Sequence, residues 1–297
     1  ALERLTELNR DPEFRRTFDM TDAEQYMAGR LANSEIHAET RYRIVRNRHP
    51  HHARMAELFV DSSQELGGGM ELAFQALAEF FEDEVVLVSW HLDDPMHSEA
   101  SRKRLALYEK QSAPLAVIDG KPVFDTALGD GKKPAEDAAK HYPLLRGACL
   151  PETAPEGTSW GIDGAISTDG ERLEVDVSLE AGESPEGLRL VVVLCERSVM
   201  AVELNGVFFH HFVARHLLTP PAGLALDKLP KEPVELGIAI SDLRKRAAAA
   251  LPERYRSKAK DSIPYLDSNQ LFAVAFVQRD DDSAILAAKT FRLSESP

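Results

Sequence analysis

Cysteine is nearly absent. Cys149 and Cys195 are the only two in 297 residues, which excludes a framework of several disulfides, and their separation excludes a Cys-x-x-Cys redox pair. One bridge between them remains open if the chain resides in an oxidising compartment. Otherwise Cys149 sits in a Pro/Gly-rich connector and Cys195 in an apolar run, where a free thiol behaves as a small hydrophobe. No apolar run approaches the roughly 20 residues of a membrane-spanning helix. No signal peptide is evident, yet the chain starts at Ala1 rather than methionine, so removal of a leader or an upstream domain is an expectation. Positive charge is in deficit: 35 Lys and Arg face 49 Asp and Glu, for a net charge of −14. That balance speaks against nucleic-acid binding, which draws on excess Lys and Arg. One strip runs the other way. Residues 40–56 carry Arg41, Arg43, Arg46, Arg48 and Arg54 with His49, His51 and His52, and no acid; the strip is expected to pair with the protein's own carboxylates rather than dock an acidic partner.

What is present is an ordinary globular composition, 43% hydrophobic and 28% charged, long enough for two compact domains. The organising stretch runs from Ala56 to Gly120. A short apolar strand, Ala56 to Val60, enters a Ser62-Ser63-Gln64-Glu65-Leu66-Gly67-Gly68-Gly69 loop. Behind it Met70, Ala73, Phe74, Leu77, Phe80 and Phe81 repeat at helical spacing. Val85 to Val88 is apolar on both faces, as a central strand is, Ser98 to Lys110 reads as a crossover helix, and Leu115 to Ile118 follows Pro114 as a further strand.

The ordered pieces Glu57-Leu58-Phe59, Val86-Leu87-Val88-Ser89-Trp90-His91, Asp93-Asp94-Pro95 and Pro114-Leu115-Ala116-Val117-Ile118-Asp119-Gly120 resemble a bacterial family of thioredoxin-like proteins of unknown function, related to the outer-membrane Omp28-like group. The resemblance covers residues 56–121 and, more faintly, Asn205 to His211. It implies an α/β thioredoxin-like domain and a place in the cell envelope or periplasm. It also implies a Cys-x-x-Cys motif that this chain lacks. Ungapped superposition puts the two redox cysteines at Gln64 and Gly67, neither of which can form the thiolate that a thioredoxin nucleophile requires.

Elsewhere, residues 1–35 read as a helical extension with a capping box at Thr21 and Glu24, and 36–46 as an edge strand. The thioredoxin-like domain is expected over 36–146 and a linker over 147–158. Residues 159–297 read as an all-β antiparallel sandwich: Leu173, Val175, Val177 and Leu179 alternate with polar residues, Leu188 to Leu194 is apolar throughout, and 271–277 with 285–293 form a hairpin. One helix is inserted, Asp242 to Leu251.

The expected function is a redox-inactive binding or scaffolding module without cofactor or metal, and the missing motif points away from an enzyme. Its contact surface would be Ser62, Ser63, Gln64, Gly67, Gly68 and Gly69, with His91, Ala113 and Pro114. Pro114 stands where thioredoxin-like folds pair their backbone with an extended peptide, and that pairing uses main-chain groups rather than cysteines. Three other readings are weaker in the residues. The glycines ahead of a helix suit an anion, but no Gly-Lys-Ser/Thr follows them. Ser62 and Ser63 with His91 lack a Gly-x-Ser-x-Gly elbow. The histidines His91, His97, His210, His211 and His216 match no metal spacing and are expected to be buried or solvated imidazoles; on a strand His210 and His211 face opposite sides and cannot share one metal, which leaves His211 free to meet a ligand from elsewhere. The enzyme alternative, a metal- or anion-dependent activity or a metal carrier, would use His91, Asp93 and Asp94. A thiol function through Cys149 and Cys195 is the third option.

Overall fold

The computed structural model describes residues 53–81, 84–125, 127–149, 160–180, 186–256 and 266–293. The helices expected over 1–35, the edge strand over 36–46 and the histidines His49, His51 and His52 lie outside the described residues. Of the basic strip, Arg54 is described, and it does pair with an internal carboxylate, that of Asp119.

The chain builds β1 (Arg54–Val60), α1 (Gly68–Phe80), β2 (Val85–His91), α2 (Glu99–Ala106), β3 (Leu115–Ile118), β4 (Lys121–Phe124) and α3 (Pro134–Cys149). Next come β5 (Gly161–Thr168), β6 (Arg172–Glu180), β7 (Leu188–Met200), β8 (Phe209–Leu217), β9 (Leu224–Ala225) and β10 (Val234–Ala239). Helices α4 (Ile240–Ala250) and α5 (Glu253–Arg256) and the hairpin β11 (Leu271–Arg279) and β12 (Ile285–Arg292) close the described chain. The architecture is mixed α/β, with one large mixed sheet in the order β12-β11-β7-β8-β2-β1-β3-β4 and a separate antiparallel sheet β10-β6-β5.

Strand alternation decides which face each residue serves. On β1, Ala56, Leu58 and Val60 pack under α1 and α3 with Met70, Phe74, Leu77, Tyr142 and Leu145. Met55 and Phe59 point to the other face, among Trp90, Leu105 and Tyr108. On β2 the same parity sends Val85 and Leu87 toward α1, while Val86, Val88 and Trp90 join the opposite core. His91 continues the α1-facing row at the carboxyl end of the strand.

The later strands were expected to form a sandwich of their own. Instead β7, β8, β11 and β12 extend the first sheet, joined through the parallel pairing of β2 with β8 at Ser89 and Val213. The second sheet packs on their outer face, where Leu173, Val175 and Val177 of β6 share a core with Leu190, Val192, Leu194 and Ala273. Period-two alternation is common to an isolated sandwich and to strands added to an existing sheet, so the sequence pattern does not separate the two.

Helix α3 runs into the stretch expected as a linker. It continues past Tyr142 through Pro143 to Cys149, because Leu145 and Cys149 prolong the buried stripe begun by Ala138 and Tyr142. Tertiary burial overrides the proline. Cys149 is thereby a buried helix residue and not part of a connector.

A buried ionic network crosses the α2 face. The Glu57 carboxylate receives Trp90 Nε1 at 2.9 Å, Arg104 Nε at 2.8 Å and Arg104 Nη2 at 2.9 Å, as well as the Tyr108 hydroxyl. Arg104 Nη1 reaches Gln278 Oε1 at 2.6 Å, which ties the network to β11. Burial disfavours the Arg104 charge, but Glu57 outweighs it and raises the guanidinium's pKa. Removal of one partner leaves the other charge buried and uncompensated, a loss of about 3–5 kcal/mol. Urea unfolding of Arg104→Met is therefore expected to show a loss of that size. A loss below about 1 kcal/mol would mean the pair is hydrated.

Candidate functional site

Strands β1 and β2 are parallel and end side by side, with Val60 opposite His91. Ligands of open α/β sheets collect outside such carboxyl ends. Here the ends open onto the Asp61 to Gly67 loop, the first turn of α1 and the segment before β8. Gly67, at φ 110°, takes a left-handed conformation open to glycine at little cost, and a Cβ on it would stand 3.9 Å from Pro114 Cβ. The loop therefore does lie against Pro114, whose peptide bond with Ala113 is cis. Both residues are half-buried.

The candidate surface residues divide into two groups. Gln64, Glu65 and Leu66 are exposed and Ser63 is half-buried, whereas Ser62, Gly67, Gly68, Gly69 and His91 are buried. The glycines are covered by the chain itself. A Cβ on Gly68 would come within 2.2 Å of the Asn205 carbonyl oxygen, and one on Gly69 within 2.5 Å of Asp137 Cβ. Asn205 N donates to Ser62 O at 3.0 Å. Arg254 of α5 donates to Ser63 Oγ and to the Asp93 carbonyl. Segments from the second half thus lie across the loop.

Under this cover sits a dry polar centre. Asp94 accepts from Ser62 N at 3.0 Å, from Ser62 Oγ at 2.9 Å and from Met96 N at 2.9 Å. It also holds His91 Nδ1 at 2.7 Å, which makes that nitrogen the donor and turns His91 Nε2 inward. There Nε2 stands 4.0 Å from Glu71 Oε1. The same Glu71 oxygen meets His210 Nδ1 at 2.6 Å, and Glu71 Oε2 accepts Asn205 Nδ2 at 2.9 Å. The two imidazoles meet edge to face at 5.1 Å. Gln75 Nε2 on the Phe209 carbonyl, at 2.9 Å, fixes the start of β8 on α1.

The electrostatics follow from partners winning over burial. Burial works to raise the Glu71 carboxyl, but the charge and hydrogen bond of His210 hold it below its ordinary range. Asp94 is likewise lowered against burial, through His91 and the Ser62 amide. His210 is raised because Glu71 overcomes the burial that opposes its charged form. Three further histidines stand outside this network. Burial lowers His97, and it brings both His211 and His216 to about 4.

The structure thus brings His91, Asp94 and Ser62 together, and it excludes Asp93, which points outward to Arg102. His210, not His211, turns to the centre. Sequence reasoning missed Glu71, Asn205 and Arg254. Glu71 lies 139 positions from His210, and no local pattern carries such a pairing. Asn205 stood within the fainter stretch of family resemblance, the one signal that could have drawn attention to it.

No protein-family model and no curated protein matches the chain. Among solved structures it is similar to HBP35 of Porphyromonas gingivalis, at 11% identity over 83% of this chain and 78% of that one, with a TM-score of 0.50. It is similar to protein AGR_C_4864 from Agrobacterium tumefaciens, at 15% identity over 82% and 96%, TM-score 0.46. A domain of the outer membrane lipoprotein Omp28 from P. gingivalis matches at 14% identity over 49% and 96%, TM-score 0.31. The HBP35 likeness shows a shared fold and nothing of chemistry.

The tight cover over the glycines yields a test. Gly68→Ala must displace the Asn205 backbone, and Asn205→Ala strips a buried carboxylate of a donor, which costs about 1–3 kcal/mol. Urea midpoints are expected to fall for both and to stay put for the exposed Glu65→Ala. Unchanged midpoints for the first two would mean that residues 203–206 do not seat on the loop.

Proposed function

We propose that the chain is a redox-inactive thioredoxin-like protein whose sheet is extended by later strands, placed in a bacterial cell envelope, that binds a protein or peptide partner at the rim of its loop 62–67. The observation that carries this reading is that the start of α1 stands beside Pro114, a Cβ built on Gly67 lying 3.9 Å from the proline's Cβ, while Gln64 and Gly67 stand where the family resemblance puts the two thiols. The cysteines that exist support the same view. Both are free and buried, Cys149 in the core beneath α1 and α3 and Cys195 in the core on the opposite face. Burial raises both thiols, which disfavours the reactive thiolate. The envelope placement rests on the family resemblance.

The rim supplies a surface for a partner. Leu66, Val202 and Leu204 are exposed, Leu204 at 68%, and the segments that carry them are hydrogen-bonded together through Asn205 and Ser62. Large apolar side chains exposed on two adjoining segments suit a partner's apolar surface. The partner chemistry that fits is an apolar peptide segment, with the deep glycines serving as support and the exposed residues as contact. No helix among the described residues is long and apolar enough to cross a membrane.

Two measurements test this. Insulin reduction with dithiothreitol is expected to run at the rate of the reductant alone; faster turnover would contradict redox inactivity. Leu66→Asp combined with Leu204→Asp is expected to weaken capture of a partner from an envelope extract at least tenfold with little change in thermal stability. Capture that survives both charges would remove the rim from the interface.

A further inference from the structure

We propose that Glu71, His91 and His210 form a buried site for a divalent first-row transition ion, zinc being the natural probe, that clasps α1, β2 and β8 together. The proposal stands apart from the partner-binding reading and does not need it. Its first support is convergence: one carboxylate oxygen and one ring nitrogen from each histidine lie within 4.8 Å of one another. They come from three elements brought together by the β2–β8 junction, and all three side chains are excluded from water.

The second support is independent of the clustering. His91 Nε2 is fully buried and has no hydrogen-bond partner. Asp94 holds Nδ1, and Nε2 faces Glu71 Oε1 across a 4.0 Å gap, too wide for a hydrogen bond. A buried nitrogen left without a partner beside a buried carboxylate is a gap that a bound cation fills. His210 Nε2 likewise lacks a partner within hydrogen-bond distance, although the Ala201 carbonyl is near enough to favour its charged ring.

The surroundings match those of metal-bound histidines. Ligating imidazoles hold their far nitrogen on a carboxylate or a carbonyl, which fixes the tautomer and raises basicity. His91 has this in Asp94, itself anchored by Ser62 and Met96. His210, whose Nδ1 meets Glu71, keeps Nε2 without a hydrogen-bond partner. Glu71 is oriented by Asn205. A two-histidine, one-carboxylate set suits zinc and its neighbours better than calcium or magnesium, which favour oxygen. With zinc bonds of about 2.0–2.2 Å, tetrahedral nitrogen and oxygen ligands stand about 3.3 Å apart, so the His91 to Glu71 gap closes by less than 1 Å. The proton shared by His210 and Glu71 leaves when the ion enters. With three side chains as donors, the fourth tetrahedral position falls to a water that enters with the ion, and ligands drawn from α1, β2 and β8 let the ion hold the two halves of the chain together.

The test uses the full chain expressed in minimal medium with Zn²⁺ or Co²⁺ and freed of loose metal by gel filtration. Elemental analysis is expected to find one ion per chain, Co²⁺ to show visible d–d bands, and chelation to lower the thermal midpoint. His91→Gln is expected to abolish the ion, Asp94→Asn to weaken it about 10–100-fold in a chelator competition, and His216→Gln to leave it intact. Less than a tenth of an ion per chain in the wild-type protein would overturn the proposal, whatever the variants do. So would undiminished metal in a folded His91→Gln protein, which would place the ion elsewhere.

Discussion

A carboxylate buried away from water must be matched by charge or hydrogen bonds, and Glu71 is where this structure meets that requirement across its two halves. The residue belongs to the first turn of α1, in the half built around β1 and β2. Its partners are Asn205, in the segment leading into β8, and His210, in β8 itself. Unpaired burial of such a group costs several kcal/mol, so helix, loop and β8 are held in one arrangement. Covering of the glycine loop, orientation of His91 and extension of the sheet by β8 all accompany that match.

The second buried carboxylate follows the same logic on the opposite face. Glu57 has no solvent and is saturated by Trp90, Arg104 and Tyr108, with Gln278 holding the far side of the guanidinium. Both networks join early residues to late ones. The ends of the chain's two halves are thus fastened by polar contacts above and below the sheet, while the apolar cores supply the bulk of burial. Such polar fasteners add specificity of arrangement more readily than net stability.

Legibility in the sequence followed the range of the interaction. Elements with a local period were readable: the alternation of Leu173 to Leu179, the helical repeat from Met70 to Leu77, and the double-sided apolar run at Val85. Three features were not. Pro143 obscured the last two turns of α3, since local rules end a helix there and only packing of Leu145 and Cys149 continues it. The joining of β8 to β2 is a property of edge pairing, which leaves no periodic mark. The polar centre was half visible: His91 and Asp94 are three residues apart, but Glu71 and His210 reach it from distant positions, and which of His210 and His211 turns inward depends on the register of β8 against β7.

The claim on which the account rests is that Glu71 and His210 are energetically coupled across the two halves. A double-mutant cycle with Glu71→Gln and His210→Gln, read by urea unfolding, tests it directly. The account predicts a coupling of about 1–3 kcal/mol, as for contacting groups in one network. Additive losses, with coupling indistinguishable from zero, would contradict it and leave the junction to apolar packing alone.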